Sequence, residues 1–437
     1  MAMLVPAKMD LSIKTKLVNP AGNPDTPTVP KLLAISYSYP PKEEPRAIQV
    51  SRLLKYLNAS TVLICEGKDS GGSDAESFLE KTVRVPFSQS FGRGLLNRLS
   101  NRIYLPVVSR TPDHLGTWKK SVLNTVASLL KRQGYRPNAL VTFAFPLIDN
   151  VIGLELKRRY KLPWLAHFSD PWVDSPFRHD DPLTETLNRR LEQGVIENAD
   201  RLVFTSNETA TLVMAKYSPT LRSKVRIVSH AYEPDLFDSA PPTNNDRLSI
   251  RYLGDLYYPR TPKPLFQALE ILSSTDSELL SRFCFEIVGD VHELDMEQMG
   301  FSRLPHRLVV FRPRVNYAES LSLMTSAAGL MVIDAPVPKN TESVFLPSKL
   351  IEYVGADRPI IGLTPPGTAA YLIDRLGGWI ADPGAADQVA KVLREFLLFV
   401  WERRDQRGAG WGCSEVRSEF EANNVASKFQ EVLAELM

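Results

Sequence analysis

The sequence predicts an α/β protein with two doubly wound domains, each a parallel sheet covered by helices on both faces. Short apolar runs typical of buried strands alternate with segments of helical apolar spacing, and this alternation occurs twice along the chain. A polar stretch rich in Pro, Asn, Ser and Thr (237–249) separates the two series. With 437 residues, the chain is long enough for two ordinary domains.

Composition favours a globular protein of a reducing compartment. The chain is 43% hydrophobic and 23% charged, and its net charge of +2 is too small to suggest nucleic-acid binding. Cys65, Cys284 and Cys413 are far apart and form no metal-binding or disulfide pattern. No apolar run approaches the roughly 20 residues of a membrane span, and the N-terminus lacks the apolar core of a signal peptide. We therefore expect a cytoplasmic protein.

The first domain is predicted to cover residues 31–238, after a loose N-terminal tail (1–30). Strands are expected in "KLLAI", "TVLIC", "NALVTFAF", "LPWLAHF", "DRLVFTS" and "KVRIVSHA", with helices in "AIQVSRLLKYL", "LIDNVIGLELKRRY" and "LNRRLEQGVIENA". This strand–helix spacing predicts a parallel sheet, because parallel neighbours need a long crossover between them.

The second domain is predicted to cover residues 249–415, after a linker at 239–248. Its strands are expected in "IRYLGDL", "FCFEIVG", "RLVVFRP", "GLMVID", "RPIIGLT" and "GGWIAD", and "KPLFQALEIL" has helical spacing. The last segment (416–437) carries an apolar helical stripe, so we expect a C-terminal helix that packs back on a domain surface.

The stretch "FLPSKLIEYVGADRPIIG" (345–362) has the residues that a nucleotide needs. It places a helix start near Ser348 in the loop after a buried strand, where ligands bind in open parallel sheets. A helix start offers free N–H groups to phosphate, and Lys349 would add a charge. Glu352 lies one turn on and could accept hydrogen bonds from the two hydroxyls of a ribose. The alternative is an exposed Lys–Glu pair of little energetic weight.

Several motifs together resemble the retaining glycosyltransferases of the GT-B fold, family 4, over roughly residues 31–435. The opening "SYSYPPKEEPRAIQVSRLLKYL" is similar to that family's first strand, loop and helix, and "PWLAHFSDPWVD" to its Pro-Trp…Asp-Pro-Trp block. "ENADRLVFTSNETATLVMAKY" resembles the end of its first domain, and "IRYLGDLYYPRTPKPLFQAL" its phosphate loop. The resemblance implies two Rossmann-like domains that face a cleft.

The resemblance also implies a set of site residues. The donor nucleotide would be held by Gly254, Arg260, Ser348, Lys349, Leu350 and Glu352, with Glu352 on the ribose. Leaving-group charge would be stabilised by Arg260 and Lys349, while His167 and Asp170 would contact the transferred hexose. A purely structural role for His167 and Asp170 stays open. The acceptor side would include Tyr39, Pro41 and Arg46. No metal and no cofactor other than the donor are implied.

The function expected from this resemblance is hexose transfer from a nucleotide diphosphate sugar to a glycan or lipid-linked acceptor. The configuration would be retained, and the pathway would be polysaccharide or glycoconjugate biosynthesis. One alternative is a nucleotide-sugar 2-epimerase of the same architecture, with His230 or Glu233 as acid–base groups. Another is a non-catalytic sugar-nucleotide-binding protein, because Val344 stands where many family members carry a first glutamate.

A membrane surface is a further expected partner. The segment from Arg84 to Arg136 has ten Lys/Arg and a single acidic residue, Asp113. It would place a peripheral protein on an anionic bilayer, with Leu95, Leu96, Ile103 and Trp118 inserted. The alternative is that these residues form two ordinary amphipathic helices.

Overall fold

The computed structural model describes residues 29–68, 77–87, 115–176, 178, 180–237, 247–338, 341–406 and 410–437. Two parallel sheets with flanking helices confirm the predicted fold class. Each predicted strand is present, and one further strand, β3, was not predicted. The domain boundaries stay predictions, since most of the proposed linker lies outside the described residues.

In the described part of the chain, the first sheet has seven strands in the order β3-β2-β1-β4-β5-β6-β7, all parallel. Its central strands are buried on both faces, which explains their continuous apolar sequences. Successive residues of β1 alternate between two cores: Leu33 and Ile35 pack on one face, and Leu32 and Ala34 on the other. The strands are β1 Lys31–Ile35, β2 Ser60–Glu66, β3 Lys81–Val85, β4 Ala139–Ala144, β5 Trp164–Phe168, β6 Arg201–Phe204 and β7 Val225–Ile227.

The described helices of the first domain are α1 to α5. They are α1 Pro45–Tyr56, α2 Gly116–Lys131, α3 Ile148–Tyr160, α4 Pro182–Asn198 and α5 Asn207–Met214. Two begin with side-chain caps: Asp181 accepts amide hydrogen bonds at the start of α4, and Ser206 accepts one at the start of α5.

The second sheet has six parallel strands in the order β10-β9-β8-β11-β12-β13. The strands are β8 Leu248–Leu253, β9 Phe283–Val288, β10 Val309–Arg312, β11 Gly329–Ile333, β12 Ile360–Leu363 and β13 Trp379–Ala381. The helices are α6 Lys263–Thr275, α7 Ser277–Ser281, α8 Tyr317–Ser326, α9 Ser348–Ala356, α10 Thr368–Arg375 and α11 Ala386–Glu402. In both sheets the carboxyl ends of the strands lead into the loops that line the cleft.

The segment predicted as one C-terminal helix contains two, α12 Ser414–Ser418 and α13 Ala422–Ala434. The second helix packs on the first sheet, so the chain end returns to the first domain. Val425, Phe429 and Leu433 join the core that includes Leu32 and Ala34. Arg201 on β6 and Arg226 on the edge strand β7 both bind Glu435, which fixes the end of α13.

The expectation that Trp118 inserts into a bilayer is wrong. Trp118 is fully buried in the first domain, and its indole N–H donates to the carbonyl of Val85 at 3.1 Å. Helix α2 is therefore an ordinary amphipathic helix along its described length, with Lys120 and Lys131 exposed. Leu95, Leu96 and Ile103 lie outside the described residues. No helix in the described part of the chain is long and apolar enough to cross a membrane.

Candidate functional site

A cleft of about 350 Å³ lies between the two domains, at the carboxyl ends of the strands. The first domain contributes the loop before α1 and the first turns of that helix. The second contributes the loops after β8, β9 and β10 and the beginnings of α8 and α9. Five of the predicted donor residues line it together: Gly254, Arg260, Ser348, Lys349 and Glu352. Leu350 does not line it, because its side chain is buried in the core and its amide donates to the Pro347 carbonyl at 2.9 Å.

Lys349 points from the first turn of α9 towards the loop after β8. Its Nζ donates to the Tyr252 hydroxyl at 2.6 Å and lies 4.0 Å from the centre of that ring. Gly254 has φ +135, and a Cβ there would lie 2.4 Å from the Lys349 Nζ, so glycine is needed for this close approach. Burial, together with the neighbouring Arg260 guanidinium, holds the pKa of Lys349 well below its ordinary value.

Arg260 provides a second cation from the loop after β8. Its Nη2 lies 3.3 Å from Oδ1 of Asp334, which is 3% exposed at the end of β11. The Arg260 Nε and the Asp334 Oδ2 are buried and have no hydrogen-bond partner among the described residues. The two cations thus differ, because Arg260 has a buried carboxylate beside it, whereas no described carboxylate forms an ion pair with Lys349. The sequence did not point to Asp334, since an acidic residue that ends a strand has no pattern of its own.

Glu352 presents one engaged and one free carboxylate oxygen. Its Oε1 accepts from Arg52 at 3.1 Å and from the Tyr317 hydroxyl at 3.3 Å. Its Oε2 is buried and has no partner in the described part of the structure. Desolvation raises the pKa of Glu352, and the Arg52 guanidinium opposes this rise. Sequence reasoning missed Arg52 and Tyr317, which lie 300 and 35 residues away from Glu352 in the chain.

A small acidic cluster borders the cleft near Gly254. Oxygen or nitrogen atoms of Asp255, Asp290 and His292 lie within 4.8 Å of one another. The amide of Asp290 donates to Asp255 at 3.0 Å, and Arg314 lies 3.7 Å from the same carboxylate. These contacts satisfy Asp255 without an ion, and the prediction of a metal-independent site stays a prediction.

Two of the residues predicted for the sugar and the acceptor, His167 and Arg46, lie around a second, smaller cavity of the first domain. Arg46, His167 and His230 line it, and Gln49 lines both this cavity and the main cleft. Arg46 donates to the carbonyl of Ala144, and its Nη2 lies 3.0 Å from Nδ1 of His167. Burial and the Arg46 charge lower the pKa of His167, so the imidazole is neutral.

The remaining residues predicted to contact the hexose or the acceptor, Asp170, Tyr39 and Pro41, do not line this smaller cavity. Asp170 follows β5, and burial raises the pKa of its carboxyl, opposed by Ser169 and Arg46. Tyr39 is buried in the first-domain core, whereas Pro41 is exposed. Neither His230 nor Glu233 lines the main cleft. Burial and two nearby arginines lower the pKa of His230 to about 3, and Glu233 is occupied by Lys55 and Arg52.

Comparison with known proteins identifies the fold. No protein-family model matches the chain, and no curated protein matches it in sequence. Among solved structures, a sucrose-phosphate synthase from Thermosynechococcus elongatus matches with a TM-score of 0.66 and 16% identity, over 93% of this chain and 99% of that one. Anabaena HepE in complex with UDP-glucose matches with a TM-score of 0.61 and 14% identity, over 93% and 100%.

A third match is an α,α-trehalose-phosphate synthase (UDP-forming) from Burkholderia xenovorans in complex with glucose-6-phosphate. Its TM-score is 0.61 at 12% identity, over 93% of this chain and 99% of that one. Likeness at these identities shows the fold alone, which is GT-B. The resemblance to family 4 stays a prediction.

Proposed function

We propose that the protein is a glycosyltransferase that moves a hexose from a nucleotide diphosphate sugar to a glycan or lipid-linked acceptor. One observation carries the proposal: the cleft brings two half-buried cations, a helix start and a carboxylate with a free oxygen into one cavity. A diphosphate with a ribose on one side has the chemistry that these groups bind.

The diphosphate would lie at the start of α9, between Arg260 and Lys349. The first N–H groups of a helix have no partner inside that helix, and the positive end of the helix dipole favours an anion. A diphosphate would stabilise the charge of Lys349 more than that of Arg260, since Lys349 has no ion pair among the described residues. The incoming phosphate charge would raise the lowered pKa of Lys349, so the bound lysine would be protonated.

The ribose would donate a hydroxyl hydrogen bond to Oε2 of Glu352, which is buried and without a described partner. A buried acceptor in that state is costly, and a ligand hydroxyl would remove the cost. The base would then lie beyond the ribose, among Gly289, Val315 and Met324. Apolar side chains and backbone groups there suit a planar ring system.

Transfer would proceed by stabilising the charge that grows on the departing diphosphate. Arg260, Lys349 and the amides of α9 already lie together in the cleft, so they need little reorganisation during the reaction. Closure of the cleft would exclude water from the donor. His167, neutral and near Arg46, and Asp170 would orient the hexose from the first domain, and the acceptor would approach past Pro41.

The solved structures support this proposal through the molecules that their names mention. HepE is described with UDP and glucose and with UDP-glucose, and a trehalose-phosphate synthase is described as UDP-forming. UDP is therefore the first nucleotide to test here. Retention of configuration, a role in polysaccharide or glycoconjugate synthesis, independence of metal, and a peripheral position on the cytoplasmic face of a membrane all belong to the proposal.

Calorimetric titration tests the nucleotide half of the proposal directly. We expect UDP or GDP to bind the full chain, and the corresponding nucleoside to bind far more weakly because it lacks the diphosphate. Lys263, exposed at the start of α6 in the second domain, offers a matched control: Lys263→Met should leave the affinity unchanged, while Lys349→Met should lower it. Equal affinity for nucleoside and nucleoside diphosphate would overturn the proposed diphosphate site.

A further inference from the structure

Arg52, a buried cation of the first domain, lies against Glu352, the predicted ribose-binding carboxylate of the second domain. Arg52 on α1 is 2% exposed. Its Nη1 donates to the Ala231 carbonyl and to Oε1 of Glu352, the latter at 3.1 Å. Its Nη2 donates to the Tyr317 hydroxyl at 2.6 Å, and its Nε lies 3.4 Å from Glu233. One guanidinium thus joins both domains beside the cleft.

The charges in this cluster balance only because Arg52 is present. Glu233 has Lys55 as a second cation, so it would keep a positive partner without Arg52. Glu352 has no other cation among the described residues: the groups that face it are Arg52 from α1, Tyr317 from α8 and, as a like charge, Glu233 from the segment after β7. The ionised state of Glu352 therefore depends on Arg52.

The two carboxylate oxygens of Glu352 differ in their hydrogen-bond partners, and this difference also gives Arg52 a role in placing the carboxylate. Arg52 and Tyr317 both bind Oε1, which leaves Oε2 buried at the wall of the cleft with no described partner. A carboxylate held by a fork of donors on one oxygen has its second oxygen fixed in direction. Glu352 is thus already oriented for a single hydroxyl before any ligand arrives.

We propose that Arg52 is the positioning residue of the donor-ribose subsite, reaching across the domain boundary to hold Oε1 of Glu352 and leave its free oxygen aimed at a vicinal diol. This inference rests on the proposed function, because the diol is that of the donor nucleotide. It makes ribose recognition conditional on contact between the domains: a protein in which α1 has moved away from α9 loses the donor that holds Oε1 of Glu352 and with it the preference for ribose.

The test compares a nucleotide with its analogue that lacks the diol. UDP and 2′,3′-dideoxy-UDP are titrated calorimetrically into the full chain between about pH 6 and pH 9, or the GDP pair if only GDP binds. The diphosphate contacts with Lys349 and Arg260 are common to both ligands and cancel in the ratio of affinities. Wild-type protein should prefer the diol about tenfold or more once Glu352 is ionised, because a hydrogen bond to a charged acceptor is lost in the analogue.

Arg52→Met should lower this preference most at the acid end of the range and recover part of it as the pH rises. Without Arg52 the pKa of the buried Glu352 rises, the protonated carboxyl offers a weaker acceptor, and only higher pH restores the carboxylate. Arg251→Met is the matched control, since Arg251 is also 2% exposed and pairs with Glu286 at 2.8 Å, inside the second domain and away from the lining of the cleft. This control should keep the wild-type ratio.

The outcomes separate the two proposals. An Arg52→Met protein that keeps the wild-type ratio at every pH overturns the role of Arg52 and leaves the proposed function standing. A wild-type protein that binds neither UDP nor GDP overturns the proposed function and this inference together. Should Arg52→Met fail to fold, Arg52→Gln keeps a donor for the Ala231 carbonyl but no charge, and must show the same pH-dependent loss.

Discussion

Replacing Lys349 by methionine is expected to remove most of the turnover without weakening the fold, whereas the same change at Arg260 should weaken both. The two cations lie in the same cleft but differ in their partners. Lys349 contacts the hydroxyl and the ring of Tyr252, whereas Arg260 lies beside the buried carboxylate of Asp334. The structure therefore predicts unequal effects on stability for two changes with similar effects on chemistry.

The magnitudes follow from those partners. Lys349→Met forfeits one hydrogen bond to Tyr252, about 1 kcal/mol, and removes a polar amine whose desolvation opposes folding, so the free energy of unfolding should change by less than about 1 kcal/mol. Arg260→Met leaves Asp334 as a buried carboxylate whose remaining described donor is the Ala335 amide at 2.9 Å. Breaking a buried pair in this way costs about 3 kcal/mol or more.

Turnover should fall in both variants, because each removes charge from the place where the diphosphate departs. Loss of one such stabilising group typically lowers kcat by about 10² to 10³, or about 2.7–4 kcal/mol. Urea unfolding gives the stabilities, and release of nucleoside diphosphate at saturating donor gives kcat. A Lys349→Met protein with wild-type kcat, or one destabilised as much as Arg260→Met, would refute the assignment of Lys349 as a diphosphate-binding cation.

Three other expectations follow from the same geometry. Glu352→Gln, which keeps a carbonyl oxygen for Arg52, should weaken nucleotide binding about tenfold or more in titration calorimetry; undiminished affinity in a folded variant would remove Glu352 from the site. Nucleotide binding should take up a proton at Lys349, because the free cleft lowers the pKa of Lys349 and the diphosphate would raise it. Binding should therefore weaken as the pH rises towards the ordinary lysine pKa of 10.5. Calorimetry in buffers of different ionisation enthalpy measures this proton uptake, and no uptake at any pH would contradict the prediction. If the segment 84–136 docks on membranes, changing the exposed Lys120, Lys131 and Arg132 to serine should lower partitioning to anionic vesicles about a hundredfold. This magnitude follows from about 1 kcal/mol for each cation near the membrane surface. Wild-type protein that stays in the supernatant with anionic vesicles at low salt would contradict the membrane proposal.

The sequence could bring five of the predicted residues to one cleft because each set of them is local in the chain. Gly254 and Arg260 follow one strand closely, and Ser348, Lys349 and Glu352 occupy two turns of one helix. Strand, loop and helix are recognisable from apolar spacing alone, and parallel sheets collect such loops at one edge. The geometry of that edge therefore follows from the order of the elements.

The residues that the sequence did not reveal are those whose partners are distant in the chain. Arg52 is one of several basic residues in an amphipathic helix, and only the packed domains bring it to Glu352 and Tyr317. Trp118 was misjudged for the same reason, since a tryptophan between cations fits either a membrane surface or a core until its neighbour Val85 is known. Strand β3 (Lys81–Val85) was missed because it is short, mixed in polarity and half-buried at the sheet edge.

The central claim is tested most directly by incubating the full chain with UDP-hexoses and GDP-hexoses that carry a label in the sugar, with and without a panel of glycan and lipid-linked acceptors. We expect labelled sugar to leave the nucleotide, free nucleoside diphosphate to appear in equal amount, and both to be lost in Lys349→Met. Conversion of the sugar nucleotide to its 2-epimer with no net loss of sugar nucleotide would show an epimerase instead. Tight binding with every donor left intact under all acceptors would contradict transferase activity altogether.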